Sequence, residues 1–327
     1  LKVPKHNKKV FGTFVCGGGS TMGYKLAGYD HLGGVEFTEH YGKVYKENHK
    51  PKHFYLEDIR NFNKREDLPP ELYDLDLLDG SPPCAAFSTA GAREDMWGRV
   101  SEYEGINQVK DDLVYVYCDT IKKLKPKVFL LENVSGLNKG NAKVYLNNIF
   151  QTLSKEYKVQ IFQLYASSMG IPQIRNRIFI IGLRKDYDLR PLELNFDCKP
   201  LGFGVTKKYW DIPADKSTDI EPYAIGKLWD EVKLGGNHKK RFNLCKPHPN
   251  KPCFTIIESC SNISAASVVH PFKKRKLNKE EVRLLCTFPQ DYNFLDTSPV
   301  SVMGRSVLPV MMANISYQIY KQWLSKI

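Results

Sequence analysis

The stretch Val10-Phe-Gly-Thr-Phe-Val-Cys-Gly-Gly-Gly-Ser-Thr-Met22 decides the fold. Val10 to Val15 is a short apolar run of strand length, three glycines break it, and a helix follows from about Met22. Glycines let backbone come close to a ligand, and the N-terminus of the helix beyond them favours negative charge. By itself the loop suits a dinucleotide, an S-adenosylmethionine or a plain tight turn equally. Its spacing is not Gly-x-Gly-x-x-Gly, which weighs against NAD.

Outward from that stretch the same alternation repeats. Leu32 to Phe37 reads as a second strand ending near Glu36, Thr38 to Asn48 as a helix, and His53 to Leu56 as a short strand before Asp58. Leu75 to Leu78 is a strand running into Asp79-Gly-Ser-Pro-Pro-Cys84. Asp111 to Lys123 carries Leu113, Val114, Tyr117 and Ile121 at helical spacing. Lys127 to Leu131 is a strand ending at Glu132-Asn133, Tyr145 to Leu153 a helix, and Val159 to Tyr165 and Arg177 to Leu183 two further strands. Strands alternating with helices predict an α/β fold with a doubly wound, mostly parallel, Rossmann-like sheet. Such sheets take ligands at the carboxyl ends of their strands, where Gly17 to Gly19, Glu36, Asp58, Pro83-Cys84 and Glu132-Asn133 fall. Beyond Asp186 the alternation gives way to chain rich in Pro, Gly, Lys and Tyr. The expected division is a first domain at 1–186, a smaller domain at 187–272, and a segment at 273–327 whose last helix, Val307 to Leu324, packs back on the first.

The 327 residues, 42% hydrophobic and 26% charged, are enough for such a pair of domains with a proper core. No apolar run approaches the roughly 20 residues that cross a bilayer. The opening Leu1-Lys-Val-Pro-Lys-His-Asn-Lys-Lys9 has no apolar signal core, so the expectation is a cytoplasmic, nucleoid-associated protein with no membrane partner. The net charge of +12 is concentrated: between Val232 and Lys279 the single acidic residue is Glu258, among Lys233, Lys239, Lys240, Arg241, Lys246, Lys251, Lys273, Lys274, Arg275, Lys276 and Lys279. A field of one sign suits a polyphosphate backbone; its bland alternative is a solvated basic face. The eight cysteines form no Cys-x-x-Cys pair, which points away from zinc, and no signal peptide supports a disulfide framework.

Several residues at the strand ends have chemistry to offer. Pro82-Pro83 stiffens the chain before the Cys84 thiol, as a nucleophile requires; a buried structural cysteine is the alternative. Glu132 can act as a general acid if partly desolvated, while Asn133 or Ser135 reads equally as a helix cap. Gln173, Arg175 and Arg177 share one face if they lie on a strand, which suits gripping a carboxylate or a base edge, or is simply a basic surface strand.

Taken in order, Phe14-x-x-Gly-Gly-Gly, Pro82-Pro-Cys84, Glu132-Asn-Val134 and Gln173-x-Arg-x-Arg177 resemble the motif series of the DNA (cytosine-5) methyltransferases. Gly23-Tyr-Lys-Leu-Ala-Gly-Tyr29, Gly170-Ile-Pro-Gln173, Arg275-Lys-Leu-Asn278 with Glu281 and Phe288-Pro289, and Gly304-Arg-Ser-Val-Leu-Pro309 extend the resemblance over nearly the whole chain except about 187–250, where members read their targets. The resemblance implies a Rossmann-like methyltransferase sheet with a smaller target-recognition domain. It implies methyl transfer from S-adenosyl-L-methionine, leaving S-adenosyl-L-homocysteine, to carbon 5 of a cytosine flipped out of duplex DNA at a specific sequence. On this footing Cys84 adds to carbon 6, Glu132 serves ring nitrogen 3, Arg177 holds the carbonyl oxygen and Arg175 braces Glu132. Phe14, Gly17, Gly18, Gly19, Glu36, Phe37, Asp58, Ile59, Pro83 and Ser306 would hold the cofactor, and Gln173, Ser88, Arg93, Lys239, Lys240 and Arg241 would meet DNA; no metal is implied. Phe87 to Val109 reads as a loop that closes over DNA. A monomer is expected, and a separate cognate restriction endonuclease is a partner the resemblance leaves open.

The chain departs from the family pattern at Cys16 (usually Gly), Tyr165 (Asn), Leu284 (Arg, with Arg283 adjacent) and Arg305 (Asn). These touch the cofactor side more than the catalytic set. Three rivals remain: a tRNA cytosine-5 methyltransferase, suggested by Cys253-Phe-Thr255; a catalytically silent DNA-binding regulator; and a nucleotide-dependent oxidoreductase.

Overall fold

In the computed structural model, residues 4–83, 100–103, 106–109, 113–138, 142–239, 244–262 and 268–327 are described. The strands are β1 (Lys9–Thr13), β2 (Asp30–Glu36), β3 (His53–Leu56), β4 (Leu77–Gly80), β5 (Val100–Tyr103), β6 (Ile106–Val109), β7 (Val128–Val134), β8 (Tyr157–Tyr165) and β9 (Asn176–Arg184). The helices are α1 (Gly19–Leu26), α2 (Glu39–His49), α3 (Ile59–Lys64), α4 (Leu113–Leu124), α5 (Ala142–Leu153), α6 (Ala224–Trp229), α7 (Lys279–Leu285), α8 (Pro299–Arg305) and α9 (Pro309–Gln322).

Seven strands make one sheet in the order β3-β2-β1-β4-β7-β9-β8. All run the same way except β9, which is antiparallel to both neighbours. The pleat sends successive side chains to opposite faces. Val10, Leu77, Leu130, Phe179 and Ile181 enter one core with Tyr24 of α1 and Met311 and Ile315 of α9. Phe11, Leu78, Phe129, Leu131, Ile178 and Ile180 enter the other with Phe62 of α3, Tyr117 and Ile121 of α4 and Ile149 of α5. Each such side chain contributes about 1.5–3 kcal/mol by leaving water, so burial on both faces fixes the strands. The Rossmann-like, doubly wound sheet read from the sequence is thus present.

Three details differ from the sequence reading. The strand at Arg177 runs backwards. Part of the segment read as a closing loop is a two-stranded antiparallel ribbon, β5–β6. Three short helices, α3, α6 and α8, go beyond the sequence reading; α3 and α8 are each started by a side-chain cap, Asp58 and Ser298. In the segment after Asp186, Leu192, Leu194, Phe203, Cys253 and Ile256 join the first core. Ile220, Ile225, Val232, Leu244 and Val269 form a small core of their own. Among the described residues, no helix is long and apolar enough to cross a membrane.

Candidate active site

A cavity of about 430 Å³ opens at the carboxyl ends of β1, β2, β3, β4 and β7. Because β9 runs against the sheet, its beginning reaches this end, and so Arg175 and Arg177 join the lining.

The loop after β1 forms the floor. Phe14 (φ 55°) and Cys16 (φ 48°) both sit in the left-handed region, which costs a residue with a side chain about 1–2 kcal/mol. Both line the cavity, as does Gly19. Gly17 and Gly18, read as cofactor residues, lie outside the lining. A Cβ on Gly17 would come 2.3 Å from Val302 Cγ1, and one on Gly18 (φ 91°) 2.1 Å from His49 Nε2. These two glycines let the loop pack on α8 and α2. Buried Glu36 ties the loop to β2: Cys16 N donates to its Oε2 at 2.7 Å and Thr38 N to its Oε1 at 2.8 Å. Burial raises the Glu36 carboxyl above its usual range, and those two amides oppose the shift. Phe37, Asp58 and Ile59 also line the cavity. Asp58 accepts from Arg60 N at 2.7 Å and pairs with Arg60 Nη1 at 3.0 Å, so its carboxylate is already engaged as the cap of α3.

At the other end of the cavity stand Ser81 and Pro83. Asn133, read as a possible helix cap, instead donates from Nδ2 to the Pro82 carbonyl at 3.3 Å, two residues before Cys84. Glu132, on β7, pairs with Arg177 Nε at 3.0 Å. The bracing assigned to Arg175 therefore belongs to Arg177. Arg175 is fully buried and donates to Ile256 O (2.9 Å), Gly304 O (3.2 Å) and Ser306 O (2.9 Å), clipping the C-terminal segment to the cavity rim. Gln173 is corrected as well. It is wholly buried, donates to Leu285 O at 3.1 Å and accepts from Ile256 N at 3.1 Å, where a DNA contact calls for an exposed side chain. Ser306 also lines the cavity.

Cys84, Ser88, Arg93, Lys240 and Arg241 lie outside the described residues. Lys239 is exposed. Of the other cations in the basic stretch, Arg275, Lys276 and Lys246 are buried. Arg275 holds Glu281 through Nη1 and Nη2 at 2.8 and 2.9 Å, and Lys246 Nζ lies 3.2 Å from the Trp229 ring centroid. They serve the fold, not a phosphate backbone. Burial pushes the Cys16 thiol up to about 12, with Glu36's charge adding, which favours the protonated thiol over the thiolate a nucleophile needs. Cys253, basis of the tRNA reading, is wholly buried. Tyr41 and Glu258 line the cavity beyond the residues expected there, and so does Arg305, whose departure from the family pattern falls on the cofactor side. The signals were Glu258's isolation among cations and the charge at 305.

A doubly wound sheet with one reversed strand and a cavity at the strand ends is a Rossmann-like fold of the methyltransferase type. The family model for C-5 cytosine-specific DNA methylase matches residues 9–244. The chain is 33% identical to Type II methyltransferase M.FnuDI of Fusobacterium nucleatum, over 97% of this chain and 95% of that protein. It is 26% identical to M.NgoPII of Neisseria gonorrhoeae, over 95% and 94%. The fold matches solved structures of Spodoptera frugiperda DNMT2 (TM-score 0.69, 15% identity, 96% of this chain and 100% of that one) and Entamoeba histolytica EhMeth (TM-score 0.69, 15% identity, 97% and 99%). The chain belongs to the C-5 cytosine-specific DNA methylase family and is a DNA cytosine-5 methyltransferase. Enzymes of this kind use S-adenosylmethionine and act on DNA.

Proposed function

We propose that a Cys84 thiolate adds to carbon 6 of a cytosine turned out of duplex DNA. The observation that carries this reading is the Glu132–Arg177 pair at 3.0 Å, on the strand beside Pro82-Pro83, with Asn133 fixing Pro82. The thiolate's electron pair forms the sulfur–carbon 6 bond, and ring electrons move toward nitrogen 3, where the Glu132 carboxyl hydrogen-bonds or donates its proton. Arg177 positions Glu132 and holds the cytosine carbonyl oxygen. Carbon 5 becomes nucleophilic and takes the methyl group. Its proton then leaves to water, the carbon–sulfur bond breaks as Glu132 takes back any proton given to nitrogen 3, and the thiolate is restored.

The cavity fits S-adenosylmethionine. Its volume lies in the usual range for a small-molecule site. Glu36 offers acceptors suited to ribose hydroxyls, Phe14 and Ile59 offer apolar faces to adenine, and Asp58 suits its amino group. At Gly19 a Cβ would come 2.4 Å from Val307 O, so loop and C-terminal wall close on each other without a side chain between them. When bound, the cofactor supplies an electrophilic methyl group.

Flipping the base costs a few kcal/mol, offset by phosphate contacts from exposed cations such as Lys239. The chain works as a monomer in the cytoplasm, on a specific sequence, with 187–272 as target-recognition domain. The Type II names of its relatives favour a restriction–modification setting with a separate endonuclease. The test is transfer of labelled methyl to duplex DNA and to tRNA. Duplex DNA should be methylated, and Cys84→Ser should abolish turnover while retaining DNA binding. Near wild-type turnover by that variant, or methylation of tRNA alone, would overturn the reading.

A further inference from the structure

The loop after β1 carries Phe14 and Cys16 in the left-handed region. Backbone of that kind persists only where its surroundings over-determine it. Glu36, which lines the cavity, supplies one hold by accepting from Cys16 N at 2.7 Å. A second hold comes from behind the loop. Tyr292 Oη donates to the Gly17 carbonyl and lies 2.8 Å from His49 Nε2. A phenol has one proton and a carbonyl can only accept, so the Tyr292 proton goes to Gly17 and His49 offers Nε2–H to Tyr292. Burial agrees with this arrangement. It lowers the His49 imidazole to about 2, with Lys25 and His31 adding, and raises the Tyr292 phenol well above its ordinary range, so both stay neutral.

The fit is close. A Cβ on Gly18 would come 3.0 Å from Tyr292 Oη as well as striking His49. The Tyr292 ring is buried and stands edge-on to Phe288, with centroids 4.9 Å apart. The next residue, Asn293, is fixed to the end of α2 by a reciprocal pair: Asn48 Nδ2 donates to Asn293 O at 2.6 Å, and Asn293 N to Asn48 Oδ1 at 2.8 Å. Tyr292 itself lies outside the cavity lining, whereas Phe14, Cys16 and Gly19, on either side of Gly17, lie within it. Any effect of Tyr292 on a ligand therefore passes through the loop.

Resting on the reading of this cavity as the S-adenosylmethionine site, we propose that Tyr292 is a positioning residue for the cofactor. It holds the Gly17 carbonyl, and with it the Phe14–Cys16 turn, in the shape that receives the ligand, while Asn48 and His49 keep its hydroxyl in place. The test is calorimetric binding of S-adenosylhomocysteine together with steady-state methylation of duplex DNA. Tyr292→Phe keeps the ring and removes the hydroxyl. It should raise the Kd for S-adenosylhomocysteine about tenfold and change the KM for duplex DNA less than about twofold. Tyr157→Phe is the control: its hydroxyl is also buried and donates to a carbonyl, Pro126 O at 2.9 Å, but Tyr157 does not line the cavity. It should lower the melting temperature by a similar amount and leave that Kd unchanged. Asn48→Ala frees Asn293 without touching the loop and should raise the same Kd about threefold. An unchanged Kd in folded Tyr292→Phe, an equal loss of affinity for cofactor and DNA, or an equal effect of Tyr157→Phe would overturn the proposal. If Tyr292→Phe does not fold, Asn48→Ala decides: a raised Kd upholds the proposal and an unchanged one overturns it. Wild-type protein that binds no S-adenosylhomocysteine overturns the cofactor-site reading as well. Wild-type binding without the Tyr292 pattern overturns only the brace.

Discussion

Asp79 is a carboxyl set inside the sheet, 3% exposed, on β4 opposite Gly12 and Leu130. Tyr24 Oη donates to its Oδ1 at 3.0 Å. Burial pushes it up to about 7, the nearby Glu132 charge adds to the rise, and the hydroxyls of Tyr24 and Ser20 oppose it. The folded-state value thus lies above the unfolded value near 3.9. The folded protein holds the proton more tightly, so stability falls as pH rises from about 4 to 7 and then levels. Asp79→Asn removes this loss. Denaturant melts should show the variant gaining about 2–4 kcal/mol over wild type at pH 8 and little at pH 4; a gain independent of pH would refute the account. The two arginines at the cavity should separate in a similarly clear way. Arg175→Met leaves three buried carbonyls unpaired and should cost about 3 kcal/mol or more of stability. Arg177→Lys keeps a charge but cannot reproduce the guanidinium contacts to Glu132 Oε1 and, from Nη1, to Asn176 O at 2.8 Å. It should lower kcat about a hundredfold with the Kd for S-adenosylhomocysteine nearly unchanged. A fall in both by the same factor would mean that Arg177 shapes the cofactor cavity instead.

Elements explain which parts of the site the sequence made legible. Short apolar runs locate the strands that carry Glu36 and Glu132, because burial on both faces demands such runs, and the edge strand that leads to Asp58. An apolar run reads the same in either direction, so the reversal of β9 was not visible. Alternation placed Gln173, Arg175 and Arg177 together only if all three lay on the strand. β9 begins at Asn176, and the residues before it turn inward to Leu285, Ile256 and Ser306. Spacing alone therefore does not tell which arginine meets Glu132, and in the structure it is Arg177. Asn133 shows the reverse case: its side chain was noticed, but its long-range partner Pro82 was beyond sequence reach. Asn133→Ala should loosen Pro82-Pro83 and lower single-turnover methyl transfer about tenfold, with thermal stability reduced by about 1 kcal/mol. Unchanged turnover would show that the prolines need no such tie.

At the scale of the whole molecule, charge is partly spent on the fold. Lys273 and Lys274 pair with Asp211 and Asp230, while Arg275, Lys246 and Lys276 are buried. A net charge of +12 therefore overstates the face open to phosphate. Affinity for duplex DNA should still fall linearly with the logarithm of salt concentration, and the slope gives the number of phosphates met; a flat response would remove the phosphate contacts from the account. Composition could show that cations cluster but not which of them lie beneath Trp229 or beside Glu281. For the same reason the lapse in alternation after Asp186 did not reveal that Leu192, Phe203 and Cys253 belong to the first core. The central claim concerns one sulfur atom. A duplex carrying 5-fluorocytosine in the target site, incubated with the enzyme and S-adenosylmethionine, should give a denaturation-resistant protein–DNA complex, and peptide mass spectrometry should place the link on Cys84. Folded, cofactor-binding and DNA-binding protein that forms no such link, or forms it at another residue, would contradict the mechanism.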